Sequence, residues 1–259
     1  MNSKTTLIFD VYGEYGHFRK FNTTTSPLTY SIPTPSAVFG LLGAVLGIER
    51  EDSQNKIREK KEHLREVFSN KNAFLAIRPL SEIKKVNIGF NLLNTKSDNA
   101  YFNIENKKNE HGRTQIEYEI LKDPKFRVYL SWEHPLKNEL IERLKNKNFH
   151  FNPYLGISQM TANIEFVAEK ELIEISKTGY TDFNTAINLS EVQSEKAPID
   201  IDFIKERTFQ VETFPLDMQI DRTIKRYGEV LVEMNGDCVR ALPNNKSFSI
   251  EDEGNIQFI

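Results

Sequence analysis

The sequence holds a single cysteine, Cys238. One thiol excludes an intrachain disulfide framework and makes the cytoplasm the expected compartment. Its five histidines are scattered, with no CxxC, HxH or HExxH spacing, so no metal site is expected. The longest apolar run, Ala37 to Ile48, is too short to span a bilayer and is broken by glycines, so no membrane association is expected. The N-terminal MNSKTTLIFDVY has no basic start leading into an apolar core, and it reads as a strand lead and not a leader peptide. GxSxG, a Walker loop and a GxGxxG after a strand are all missing, so neither a familiar catalytic motif nor a cofactor is expected. There is no positive excess either. A net charge of −3 argues against a whole-surface nucleic-acid binder. A local basic track remains open, because phosphate binding needs only a few well-placed Lys and Arg.

The 259 residues, 39% hydrophobic and 27% charged, suit one large folded domain or two small ones. Thr5 to Tyr12 is β-rich and reads as a first strand. A polar and aromatic connection follows to Tyr30. Thr34 is then a natural N-cap, with Pro35 in the first turn and Val38, Leu41, Leu42, Val45 and Leu46 at helical spacing. Gly47 is placed to stop that helix. Ser53 to Phe68 shows a second helical pattern whose Lys and Glu interleave as a solvated face. Ala73 to Leu80 reads as a strand continued by Val86 to Leu93. Asn94 to Gly112 is polar and aperiodic. Thr114 to Leu121 and Phe126 to Trp132 alternate as strands about the turn KDPK. His134 to Asn146 reads as a helix and Ala162 to Ala168 as a strand.

This order is α+β, with the pattern of a ferredoxin-like (RRM-like) βαββαβ unit over residues 1–168. Two helices would cover one sheet face, leaving the other free for a ligand or a further layer. Residues 169–259 read as a β-rich extension packed on that unit. No internal repeat is visible.

The start of the Thr34 helix offers free N–H groups and the positive end of a helix dipole. His17, Arg19, Lys20, Thr29, Tyr30 and Ser31 stand just upstream. Basic, hydroxyl and aromatic groups beside a helix start suit a phosphodiester backbone with a stacked base. The plainer reading is a capped helix with a packed tyrosine. Gly40 and Gly43 each cost roughly 1 kcal/mol against alanine in a helix. Close packing of the helix on a sheet would compensate, as would ligand approach at Gly40. The long 94–112 connection, with Lys96, Tyr101, Phe102, Lys107, Lys108 and His111, leads into Arg113, Thr114 and Gln115. Basic side chains interleaved with rings are what a single-stranded nucleic-acid binder needs; a solvated loop without function is the alternative. Arg222, Lys225 and Arg226 form a further small basic cluster that reads as surface decoration. A metal-independent ribonuclease would need His, Lys or Tyr near a scissile phosphate. Tyr30, Lys108 and His111 are the candidates, and no spacing compels them.

The run IPTPSAVFGLLGAVLGIE, preceded by GHFRK and PLTY, resembles the N-terminal signature of a CRISPR-associated RAMP family. This is the fifth Cas family, a subunit of type I Cascade surveillance complexes. HGRTQIEYEILKDPKFRVYLSW and NPYLGISQMTANIEF resemble later segments of the same family, and the wording is most similar to the subtype I-B form. The resemblance implies a scaffold, not an enzyme, that caps the 5′ handle of the CRISPR RNA and contacts the backbone and large subunits. It also implies a β-hairpin thumb, corresponding to about residues 86–115, that displaces a nucleotide of the guide–target pairing and so meets target DNA indirectly. The handle surface would then use His17, Arg19, Lys20, Tyr30, Thr34, Ser36 and Gly40. The thumb would use Lys96, Lys107, Lys108, Arg113, Thr114 and Gln115. A second ferredoxin-like domain, found in many relatives, is not legible after Glu169. A branch of the family cuts precursor RNA itself with a Tyr/Lys/His set, which makes an endoribonuclease the alternative function.

Overall fold

The computed structural model describes residues 4–21, 25–48, 63–93, 113–176, 178–191, 199–200, 207–221 and 223–259. The first half runs β1 (Thr5–Tyr12), β2 (Tyr15–Gly16), α1 (Pro35–Leu46), α2 (Leu64–Val67), β3 (Ala73–Pro79), β4 (Lys84–Leu93), β5 (Arg113–Lys122), β6 (Lys125–Trp132), α3 (Lys137–Asn146) and β7 (Asn163–Glu171). The second half runs β8 (Ile173–Glu174), β9 (Thr181–Phe183), β10 (Ile187–Asn188), β11 (Phe209–Met218), β12 (Ile224–Glu233), β13 (Val239–Ala241), β14 (Ser247–Ile250) and β15 (Gly254–Gln257). The fold is mixed α+β and rich in strand.

A central antiparallel sheet has the order β3-β6-β1-β7. Period-two alternation divides its side chains between two faces. Leu7, Phe9 and Val11 of β1, with Leu75, Ile77, Val128 and Leu130, join α1, α2 and α3 in one core. Ile8, Ala76 and Tyr129 face the opposite way. A bulge between Ile8 and Phe9 in the β1–β7 pairing lets Phe166 share the first face and Ala168 the second.

Helix α1 forms as its sequence dictates. Thr34 is extended at φ −74°, ψ 157°, and its hydroxyl accepts from the Ala37 N–H at 3.4 Å. Gly47 ends the helix in the left-handed region at φ 74°, where a side chain would be strained. Val38, Phe39, Leu42, Val45 and Leu46 are buried on the sheet side. Each large side chain so buried is worth about 1.5–3 kcal/mol. Phe214, Leu216, Val230 and Val232 from β11 and β12 close the same core.

The second face of the sheet is not free. The β14–β15 hairpin lays Phe248, Ile250, Ile256 and Phe258 over Ile8, Ala76 and Tyr129. The chain ends by donating the Ile259 N–H to the Leu75 carbonyl at 2.9 Å. Asp10, Arg127 and Arg78 lie opposite one another across three strands of this face. Arg127 grips Asp10 with two bonds, at 2.8 and 3.0 Å, and reaches Glu253 of the β14–β15 turn at 2.8 Å.

Three sequence expectations change. Val86–Leu93 does not continue β3. It belongs to β4, which pairs with β5 from Lys84↔Lys122 to Leu93↔Arg113 in a separate ribbon whose one further paired strand, among the described residues, is β2. Leu80 and Ile83 turn the chain out, donating to Lys125 and Met234 carbonyls at 2.9 and 2.7 Å. The Ser53–Phe68 pattern is described only from His63, as the single-turn α2; the rest lies outside the described residues. The helix expected from His134 begins at Lys137.

Candidate nucleic-acid interface

The GHFRK loop is held by its backbone before any side chain is considered. The His17 N–H donates to Leu155 O at 2.9 Å, Lys20 to Leu28 O at 2.9 Å, and Tyr30 to Phe18 O at 2.8 Å. Arg19 and Thr29 form an isolated bridge. The loop therefore folds on itself as a short ribbon. Glu119 of β5 pins it: its N–H donates to Pro27 O at 3.1 Å, and its carboxylate accepts from the Thr29 N–H at 3.0 Å. Gly156 of the NPYLG segment sits at φ 89°, where a Cβ would fall 1.8 Å from the His17 carbonyl oxygen. Only glycine fits there.

Several side chains expected at the interface turn inward instead. His17 is 1% exposed. Its Nδ1 lies 2.8 Å from the Glu119 carbonyl, which can only accept, so Nδ1 carries the proton. Burial lowers its pKa, and Nε2 has no partner among the described residues. His17 anchors the loop and is closed to a phosphate. Lys20 is also engaged. Its Nζ lies 2.6 Å from Glu212 Oε1, and that carboxylate is 2% exposed. Glu212 further accepts from the Ser31 N–H at 2.9 Å, the Ser31 hydroxyl at 3.0 Å and Lys85 Nζ at 3.4 Å. Tyr30 is 4% exposed, donates its hydroxyl to Thr213 O at 3.0 Å and meets Phe214 edge-on at 4.7 Å. Burial, then the Glu212 charge, pushes its phenol up to about 12. A ring so enclosed stacks on protein, not on a base. Thr34 is buried as the N-cap, with Ser36 Oγ at 3.0 Å from its hydroxyl.

What faces outward is narrower. Arg19 is exposed, Ser36 is half-buried, and Gly40 is exposed with open space where a Cβ would be. Helix-on-sheet packing therefore does not explain Gly40. Gly43 does sit in a close approach, but to a side chain and not to a strand: a Cβ there would lie 2.6 Å from Leu64 Cδ1. Arg113, Thr114 and Gln115 are exposed at the far end of β5. Leu121, near the other end, pairs with Gly16. At about 3.4 Å per residue, Gln115 and Arg113 stand roughly 20–27 Å from that junction along the strand. The two candidate patches are thus ends of one arm, not one pocket. Lys96, Lys107, Lys108 and His111 lie outside the described residues, so the Tyr30, Lys108, His111 grouping gains no geometry. Lys225 is exposed, 3.9 Å from Asp217, and Arg222 is outside the described residues.

Sequence reasoning missed the residue that organises this region. Glu212 shares a strand face with Phe214 and Leu216, so an inward-facing carboxylate in phase with apolar neighbours was the available signal. Among the described residues, no cluster of three or more potential metal ligands occurs and no helix is long and apolar enough to cross a membrane.

These features define a strand-rich α+β protein with a separate two-stranded ribbon, exposed at its far end, and an exposed arginine beside a capped helix start. The family model described as CRISPR-associated protein (Cas_Cas5) matches residues 6–232. The chain belongs to that family. Among solved structures, a chain of a "CRISPR RNA-guided surveillance complex" is similar at a TM-score of 0.52 and 12% identity, covering 90% of this chain and 91% of that one. A CRISPR protein from Archaeoglobus fulgidus is similar at a TM-score of 0.50 and 15% identity, over 98% and 99% of the two chains. At such identities the likeness is one of fold. No curated protein matches the sequence.

Proposed function

We propose that this protein is the crRNA-binding scaffold subunit of a type I Cascade surveillance complex, of the subtype I-B form. In this reading the central sheet, with its helical crossovers, is the ferredoxin-like unit, and the β4–β5 ribbon is the thumb inserted between its second and third strands. The subunit caps the 5′ handle of the crRNA with Arg19, Ser36 and Gly40. It contacts the backbone and large subunits, and the thumb displaces a nucleotide of the guide–target duplex.

The observation that carries the reading is the β4–β5 ribbon. Ten residue pairs form a ladder that leaves the central sheet and presents Arg113, Thr114 and Gln115 to solvent at its far end. A two-stranded ribbon alone is marginal in water; this one rests Val86, Ile88, Phe90, Tyr118 and Ile120 on the core and leaves the far end of β5 exposed, which suits docking of that end onto something else. Family membership and the fold likeness to a surveillance-complex chain support the same conclusion.

A scaffold role is favoured over RNA cleavage because Tyr30 is enclosed and its phenol is harder to ionise than usual. The test is reconstitution with the partner subunits and a labelled repeat RNA, without metal. Handle-containing RNA should be retained uncut, and Arg19→Ala should reduce retention and flatten its salt dependence. Specific cleavage abolished by Tyr30→Phe or His111→Ala would overturn the scaffold reading.

A further inference from the structure

The sheet face opposite α1 is covered by the β14–β15 hairpin only in part. At its uncovered end lies a cleft of about 340 Å³, the size of a small-ligand site. It shares no residue with the interface described above. Phe74 of β3 and Ser131 of β6, paired across the sheet, form the floor. Phe258 and Phe248 form the wall, with ring centroids 6.2 Å (Phe74 to Phe258) and 5.5 Å (Phe248 to Phe258) apart.

Three lysines from separate segments converge on this cleft: Lys4 just before β1, Lys71 just before β3 and Lys246 just before β14. Lys4 and Lys71 are exposed, and neither side chain has an ion-pair partner among the described residues. Glu133 is the sole carboxylate of the lining. The mouth therefore carries net positive charge above an aromatic floor. Lys4 and Lys71 serve no ion pair of the fold among the described residues, and two like charges lining one cleft repel, so an anion between them explains the pair better than packing does.

We propose that this cleft binds a nucleotide, its base against Phe74 and its phosphate between Lys4 and Lys71. Rings accept any base through stacking, and ammonium groups hold the phosphate as point charges. The Glu133 carboxylate accepts from an amino or imino N–H on the base edge. Guanine, whose imino and amino N–H groups stand side by side, can meet both carboxylate oxygens and should be held best. The nucleotide is either free or one residue of a single strand.

Calorimetric titration of the full-length chain with the four ribonucleoside 5′-monophosphates, ribose 5-phosphate and a short single-stranded RNA tests this. Nucleotides should bind, ribose 5-phosphate at least about tenfold more weakly for want of a stacked base. Lys71→Glu should weaken nucleotide binding by about tenfold or more, as loss of a charge-assisted bond does, with melting temperature unchanged. Phe74→Leu should weaken the nucleotides while leaving ribose 5-phosphate binding alone. A tighter RNA than mononucleotide identifies a strand as the source, and equal affinity a free nucleotide. Absence of nucleotide binding, or binding indifferent to both Lys71→Glu and Lys4→Glu, would overturn the proposal. Because both substitutions are on exposed side chains, misfolding cannot mimic the result.

Discussion

Lys20 donates to Glu212 across 2.6 Å in a site where the lysine side chain is 14% exposed and the carboxylate 2%. The contact joins the loop before α1 to strand β11, nearly two hundred residues later. It turns a residue that looks like an RNA ligand into a tie between the two halves of the chain. Glu212 keeps Ser31 and Lys85 as partners, so losing this one charge-assisted bond costs about 1.5–3 kcal/mol. Lys20→Ala should therefore lower the melting temperature by roughly 3–12 °C, taking about 2–4 °C per kcal/mol for a chain of this size. Arg19→Ala, next door but exposed, should stay within about 0.5 kcal/mol. Thermal melts of the two single variants decide it; equal stability would place Lys20 back among the free cations.

Glu253 holds the covering hairpin to the sheet. It accepts from Arg127 Nη1 at 2.8 Å and from the Tyr129 hydroxyl at 2.8 Å. Glu253→Ala leaves a buried phenol O–H without its acceptor, though Arg78 still bonds the phenol oxygen, and leaves one arm of a guanidinium without a partner. The expected cost is about 2–4 kcal/mol. Because the β14–β15 hairpin then loosens over Ile8, Ala76 and Tyr129, the variant should also bind a hydrophobic dye and lose its C-terminal segment to protease first. Wild-type protease resistance of that segment would contradict the assignment.

The two glycines of α1 predict opposite results. Gly40→Ala meets open space and should stabilise by up to about 1 kcal/mol, the helix propensity difference. Gly43→Ala must displace the buried Leu64 side chain, whose Cδ1 lies 2.6 Å from the new carbon, so the propensity gain should vanish or reverse. Denaturant midpoints for the pair give the comparison. If Gly40 is open for RNA, Gly40→Ala should raise stability and still reduce crRNA retention in the assembled complex.

Tyr30 makes stability fall on the alkaline side. An unfolded tyrosine ionises near pH 10, whereas burial and Glu212 hold this one to about 12. Between those values the unfolded chain loses a proton that the folded chain keeps. The contribution is complete below about pH 10 and is lost as pH rises toward 12. Tyr30→Phe should flatten this slope, at the cost of the hydroxyl bond to Thr213, about 1 kcal/mol. Melting temperature against pH reads the slope, and absorbance titration reads the phenol. A tyrosine complement that titrates entirely near pH 10 in the folded chain would refute it.

Much of the local architecture was legible in the sequence. β1 spans the residues its composition indicates, and α1 starts at Thr34–Pro35 and stops at Gly47 because caps and glycine act through neighbouring backbone alone. The alternation in β5 and β6 is equally local. Val86–Leu93 was misplaced because alternation gives a strand its faces but not its partner. The interface was legible only in outline. Arg19 stays outside while His17 and Lys20, two residues and one residue away, turn in, and no periodicity in an irregular loop distinguishes them.

By itself, then, the sequence determined the elements, the mixed α+β character and the family, since these rest on short-range preferences and on motif wording. Tertiary structure decided what each charged or aromatic group does. A lysine is a ligand or a strut according to whether a carboxylate such as Glu212 is brought beside it. The free face of a sheet is free only if no later hairpin covers it. Both outcomes depend on contacts between residues far apart in the chain, where desolvation and pairing energies are set by the fold.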